Sequence, residues 1–140
     1  MISTEDIVAL LRESTRFHGI ITPETTLQND LGIWGDDMDE VLGDYAKRFS
    51  VDMSSYLWYF HTGEEGQNLG SLFFKPPNAR VLQIPITVCM LRDFANSGRW
   101  SVIYPEHTLP KHRVDITINR IIAVALLGVL ATWLLAKWLK

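Results

Sequence analysis

Between Met38 and Phe49 the apolar residues Met38, Val41, Leu42, Tyr45 and Phe49 recur at the spacing of one buried helical face. Asp36, Asp37, Asp39 and Glu40 crowd the start of this stretch, and Lys47 and Arg48 close it, each sign where the helix dipole favours it. The pattern predicts a strongly amphipathic acidic helix, fed by a loop that runs from Leu27. Earlier in the chain, Ser3 with Asp6 three residues on reads as an N-cap. Ile7, Leu10 and Leu11 continue at helical spacing towards Phe17, which predicts a first helix over about 4–17. Gly19 to Pro23 breaks that pattern. Further on, Val88, Leu91, Phe94 and Ala95 form another apolar stripe, introduced by Thr87 as N-cap and ended by Gly98.

The final apolar stretch has no polar face. Ile121 to Ala136 is sixteen residues without a charge, and continuing to Leu139 gives nineteen if Lys137 snorkels towards headgroups. At the rise of an α-helix, nineteen residues reach about 28 Å, close to the hydrocarbon thickness of a bilayer. Trp133 and Trp138 suit an interfacial belt at the far end, while Lys111, Arg113 and Arg120 flank the near end. A transmembrane helix over 121–139 is expected. Gly128, Thr132 and Ala136 fall on one stripe of it, a small-xxx-small spacing that would permit weak self-association.

The middle of the chain is less regular. Tyr56 to Phe60 is an aromatic run, expected to cover the helical core, Gly63 to Gly70 is polar and turn-rich, and Lys75-Pro76-Pro77-Asn78 is a second break. Leu72–Phe74 and Arg80–Ile84 could pair as a small hairpin across that break, kept short by Pro77 and Pro85. Arg99 to Tyr104 reads as extended, and 105–120 as a linker to the apolar segment.

Charge divides the chain in two. Residues 1–110 hold 8 Lys and Arg against 15 Asp and Glu, and residues 111–140 hold 5 against 1, so the formal net charge of −3 hides an acidic body and a basic tail. Such a body is unsuited to nucleic acid, which needs clustered cations. Cys89 is the single cysteine, so no intrachain disulfide can form and a reducing compartment is the simplest reading. Met1 to Asp6 is acidic and lacks the basic and apolar regions of a signal peptide. Three cations before the apolar segment and two after it leave orientation to these other signs, which favour a cytoplasmic body and a tail anchor.

Asp30-Leu31-Gly32-Ile33-Trp34-Gly35-Asp36, followed fourteen residues after Gly35 by Phe49, resembles the loop and second helix of acyl carrier proteins, written D-L-G-x-D-S-L and then E-E-F. Pro85-Ile86-Thr87-Val88 through Asp93-Phe94 resembles the last carrier helix, introduced by I-T-T-V and closed by D-Y-I. The likeness covers 4–52 and 86–97, and residues 53–85 replace a shorter third-helix region. Aligned without a gap, the serine that carries the phosphopantetheine arm falls at Gly35, which has no hydroxyl, and the aspartate before it at Trp34. The resemblance therefore implies a carrier fold without its prosthetic group. The string is closer still to a family of bacterial carrier-like proteins of unknown function, written D-L-G-I-x-G-D-D. The expected architecture is an all-α, acyl-carrier-like helical bundle over 1–104, with an irregular insert over 53–85, followed by the linker and one transmembrane helix.

Catalytic chemistry is not expected. No G-x-S-x-G, Walker A or Rossmann glycine pattern is present, and His18, His61, His107 and His112 lie outside any metal-ligand spacing and are read as surface or core residues. Asp36, Asp37, Asp39 and Glu40 lack EF-hand spacing and are read as a solvated helix start, with no metal expected. Cys89 is placed inside its helix, away from the start. Carriers present an acidic second helix to basic patches on their partners, and Asp36, Asp37, Asp39, Glu40 and Asp44 would keep that surface here. The function expected is a non-catalytic, membrane-tethered interaction module on the cytoplasmic face of a bacterial inner membrane. Its alternatives are an acyl or lipid carrier without the usual prosthetic group, and a small membrane-active protein whose tail is the effector.

Overall fold

The computed structural model describes residues 1–64 and 68–139. Four α-helices carry these residues: α1 (Thr4–Thr15), α2 (Gly35–Phe49), α3 (Val88–Ser97) and α4 (Val114–Trp138). The described residues contain no strand, only isolated bridges between Thr26 and Thr87 and between Asp52 and Arg99. The fold is all-α.

Helices α1 and α3 start and stop for local reasons. The Ser3 hydroxyl accepts from the Asp6 amide and the Asp6 carboxylate accepts from the Ser3 amide, a reciprocal cap on α1. That helix ends at Thr15, two residues short of the predicted limit, because Arg16 turns left-handed and the Thr15 hydroxyl bonds back to the Leu11 carbonyl. In α3, Thr87 Oγ1 accepts from the Met90 amide, and Gly98 at φ +70° closes the helix in the conformation glycine adopts most cheaply. Both ends are as the pattern predicts.

Burial follows the predicted stripes. Ile7, Leu10 and Leu11 of α1, Met38, Val41, Leu42 and Tyr45 of α2, and Val88, Leu91 and Ala95 of α3 meet in one core with Leu27, Ile33, Ile86 and Trp100. Tyr45 also donates its hydroxyl to the Leu91 carbonyl at 2.7 Å, which fixes α2 to α3 and satisfies a polar atom in the interior. Burial pushes that hydroxyl's pKa well above the usual tyrosine range.

The described residues of 53–85 form an irregular layer on this core rather than a hairpin. Trp58–Phe60, Leu69–Leu72 and Pro77–Arg80 are 3-10 turns. Pro77 has no N–H to give a strand partner, and the Ile84 amide donates to the Phe60 carbonyl instead of pairing with residues 72–74. The aromatic run covers the core as expected, with Tyr59 and Phe60 buried. Gln28 stitches the layer down: its amide nitrogen donates to the His61 carbonyl and its oxygen accepts from the Ile86 amide, both at 2.9 Å. Within the turn-rich segment expected at Gly63–Gly70, residues 65–67 lie outside the described residues.

The predicted linker is shorter than 105–120, because α4 already begins at Val114. Asp115 sits in its first turn, where negative charge is favoured, and the insert packs on that turn. Asp115 is buried and Ile116, Ile118, Asn119 and Ile122 are half-buried, whereas every residue from Ala123 to Leu139 is exposed. The helix is long and apolar enough to cross a membrane, with a mean hydropathy of 2.0 over its most apolar window.

Candidate functional site

The start of α2 is where body, insert and α4 come together. Trp34 occupies the N-cap position in an extended conformation and offers no side-chain cap. Thr62 takes over that role from the insert, its hydroxyl accepting from the Gly35 amide at 2.6 Å. Gly35 is buried and holds φ +48°, a left-handed backbone. A serine in the position that the carrier alignment assigns to it would be both strained and enclosed. Trp34, which cannot cap a helix, was the one sign in the sequence that a donor's partner had to come from elsewhere.

Beside this helix start lies a cleft of about 430 Å³ lined by Asp36, Asp39, Trp58, Thr62, Glu64 and Asn119, among others. The five carboxylates predicted for partner binding are thus not one patch. Asp36 and Asp39 face this cleft, while Glu40 and Asp44 line a groove against Arg16 of the α1 end and Lys47 and Arg48 of their own helix. Asp37 and Glu40 also border the hollow beneath Leu31 and Gly32. All five are exposed, and among the described residues none is in an ion pair.

A second cluster, unforeseen in the sequence, joins the insert to α4. Arg113 holds Glu64 with two bonds of 2.6 and 2.8 Å and Asp115 with two of 2.6 and 3.0 Å. Asn68 donates to Asp115 at 2.9 Å and accepts from the Asn119 amide group at 2.8 Å, and Asn119 Oδ1 accepts from the Gly70 amide at 2.7 Å. Bonding to Arg113, then to Asn68, holds the Asp115 carboxyl well below its usual range, and the same bonds to Asp115 and Glu64 raise Arg113. Gly70 is required here: a Cβ on it would collide with the Asp115 carbonyl of α4. Each member is a common surface residue in sequence, and nothing in their spacing announces the cluster.

His61 is fully buried, and both of its ring nitrogens have partners within the protein. The Ile84 carbonyl, 2.7 Å from Nδ1, can only accept, so Nδ1 carries the proton and Nε2 accepts from the Tyr104 hydroxyl at 2.9 Å. Tyr104 in turn accepts from the Trp100 indole at 2.8 Å and the Leu57 amide at 3.1 Å. Desolvation lowers the His61 pKa, against the smaller effect of the Ile84 bond. Cys89 differs from expectation. It is the second residue of α3, because the helix begins directly after Thr87, and its half-buried thiol lies 3.2 Å from Arg92 Nη2.

These features define an all-helical domain in which an insert both caps the acidic helix and grips a long apolar C-terminal helix. Residues 4–104 match the family described as Protein of unknown function (DUF1493), and the chain belongs to that family. No curated protein and no solved structure matches the chain. The family match takes in Glu64, Asn68 and Gly70 and stops before Arg113, Asp115 and Asn119.

Proposed function

We propose that the chain is a non-catalytic, membrane-tethered interaction module of carrier-like fold, which binds a protein with a basic patch through α2. The observation that supports this reading most is the state of Asp36, Asp37, Asp39, Glu40 and Asp44. All are exposed, and none is neutralised by an ion pair among the described residues. Exposed, unpaired carboxylates steer a partner of opposite charge and select against others. In the same reading α4 spans the inner membrane of a bacterium and leaves the body in the cytoplasm. Its exposed apolar circumference beyond Ile122 would otherwise face water, which large apolar surfaces avoid.

The test is a comparison of proteins captured from detergent extracts by the wild-type chain and by Asp37→Lys with Glu40→Lys. Loss of particular proteins from the second set is expected, and identical sets would remove the proposal.

A further inference from the structure

Leu72, Phe73 and Phe74 are 78%, 73% and 43% exposed, a run of three large apolar side chains of which the first two are mostly uncovered. Isolated exposed apolar residues are ordinary, but a contiguous run marks a contact surface. We propose that this tip of the insert lies in the interfacial layer of the same bilayer that α4 enters, a second and shallower membrane contact. The inference rests on the membrane reading of α4 given above.

Its position carries the inference. The tip is bound to α4 through Gly70, whose amide donates to Asn119, and the amides of Phe73 and Phe74 both donate back to the Gly70 carbonyl, at 3.1 and 2.9 Å. Leu72–Phe74 is thereby folded close to the α4 contact. Along α4, Asp115 and Asn119 precede Ile121 by about 9 and 3 Å at the rise of an α-helix. The headgroup layer on each side of a bilayer is roughly 5–7 Å deep, so the Asn119 end of the contact falls within it and the Asp115 end just above it. Coverage of α4 ends at Ile122, one residue inside the uncharged stretch, so the packed part of the helix reaches the start of its apolar segment.

Charge agrees with a lipid surface as occupant. Lys75 follows the tip, and Arg80, whose Nε donates to the Lys75 carbonyl, returns to it. Lys111 and Arg120 flank the start of α4, and all four cations are exposed and outside any ion pair among the described residues. Apolar side chains bordered by cations suit an interface with anionic headgroups.

The test uses the full chain with Cys89→Ser and one new cysteine at a time: Phe73→Cys or Leu72→Cys at the tip, Gly128→Cys in α4, and Ile20→Cys on the body, where Ile20 is 87% exposed. Each carries an environment-sensitive dye and is placed in phosphatidylcholine–phosphatidylglycerol vesicles containing nitroxide lipids, with the spin label either near the headgroup or deep in the acyl chain. Dyes at 72 and 73 are expected to shift their emission to the blue and to be quenched by the shallow nitroxide, the dye at 128 by the deep one, and the dye at 20 by neither. Tip dyes that behave like the one at 20, while 128 is quenched, overturn the inference and leave the anchor standing. A dye at 128 that no nitroxide quenches overturns the membrane reading itself.

Discussion

Gly70 of the insert packs so closely on Asp115 of α4 that any side chain at position 70 would collide with the Asp115 carbonyl. Gly70→Ala should therefore push the insert off the helix. The other bonds of the cluster depend on that approach, so they are expected to fail together. Hydrogen exchange of the amides at 69–74 and 114–119 should quicken roughly tenfold or more, equivalent to about 1.4 kcal/mol, with the core of α1 and α3 little changed. Unchanged exchange at both segments would mean that the contact is loose.

Arg113→Met should do more harm than Arg113→Met combined with Asp115→Leu. The single change leaves the buried Asp115 carboxylate with Asn68 but no cation, whereas the double change removes the charge that needs one. The same exchange measurement ranks the two. Since the Asp115 pKa is depressed below the ordinary carboxylate value of about 3.8, its contribution in the wild type is present above that value and lost as pH falls below it. A double variant less protected than the single one would contradict this account.

Stability should fall as pH drops below about 6.5, through His61. Its folded pKa lies below the unfolded value, so the unfolded chain takes up the proton first and is favoured as pH falls. Protonation also turns Nε2 into a donor facing Tyr104, whose oxygen already accepts from Trp100 and Leu57. Denaturant midpoints of the detergent-solubilised chain, compared at pH about 7.5 and about 5.5, should differ in the wild type and less so in His61→Gln. Equal slopes in the two proteins would assign the effect elsewhere.

Gly35→Ser should destabilise the start of α2 by about 1–2 kcal/mol, the cost of a left-handed non-glycine residue, and should remain unmodified by a phosphopantetheinyl transferase. Thr62→Val should cost about 1 kcal/mol by leaving the Gly35 amide without its cap. Midpoint shifts in denaturant measure both, and intact mass reports the modification. Rapid addition of the pantetheine arm would show that the site opens readily.

Self-association through α4 should depend on Gly128, Thr132 and Ala136. A Cβ at Gly128 meets open space, so the stripe is unobstructed by the body, although the Thr132 hydroxyl donates to its own helix at Val129. An in-membrane reporter fused to 118–140 should lose signal on Gly128→Ile. A wild-type signal at the monomer level would leave this helix without a dimerising role.

The sequence by itself determined the elements whose causes are local. Apolar spacing placed Met38, Val41, Leu42 and Tyr45 in the core, Ser3, Thr87 and Gly98 marked helix ends, and the uncharged run from Ile121 announced α4, because periodicity and capping act within a few residues. Only tertiary structure decided what depends on distant partners. Thr62 caps α2 from 27 residues away, burial beneath distant parts of the chain lowers the His61 pKa, and the carboxylates of α2 are divided between the α4 side and the α1 side. The hairpin that Leu72–Phe74 and Arg80–Ile84 could have made is absent for the same reason. Ile84 found its partner in Phe60, and the turn at Leu69–Leu72 was drawn to α4, where Asn68, Asn119 and Asp115 satisfy one another at positions that no short-range pattern connects.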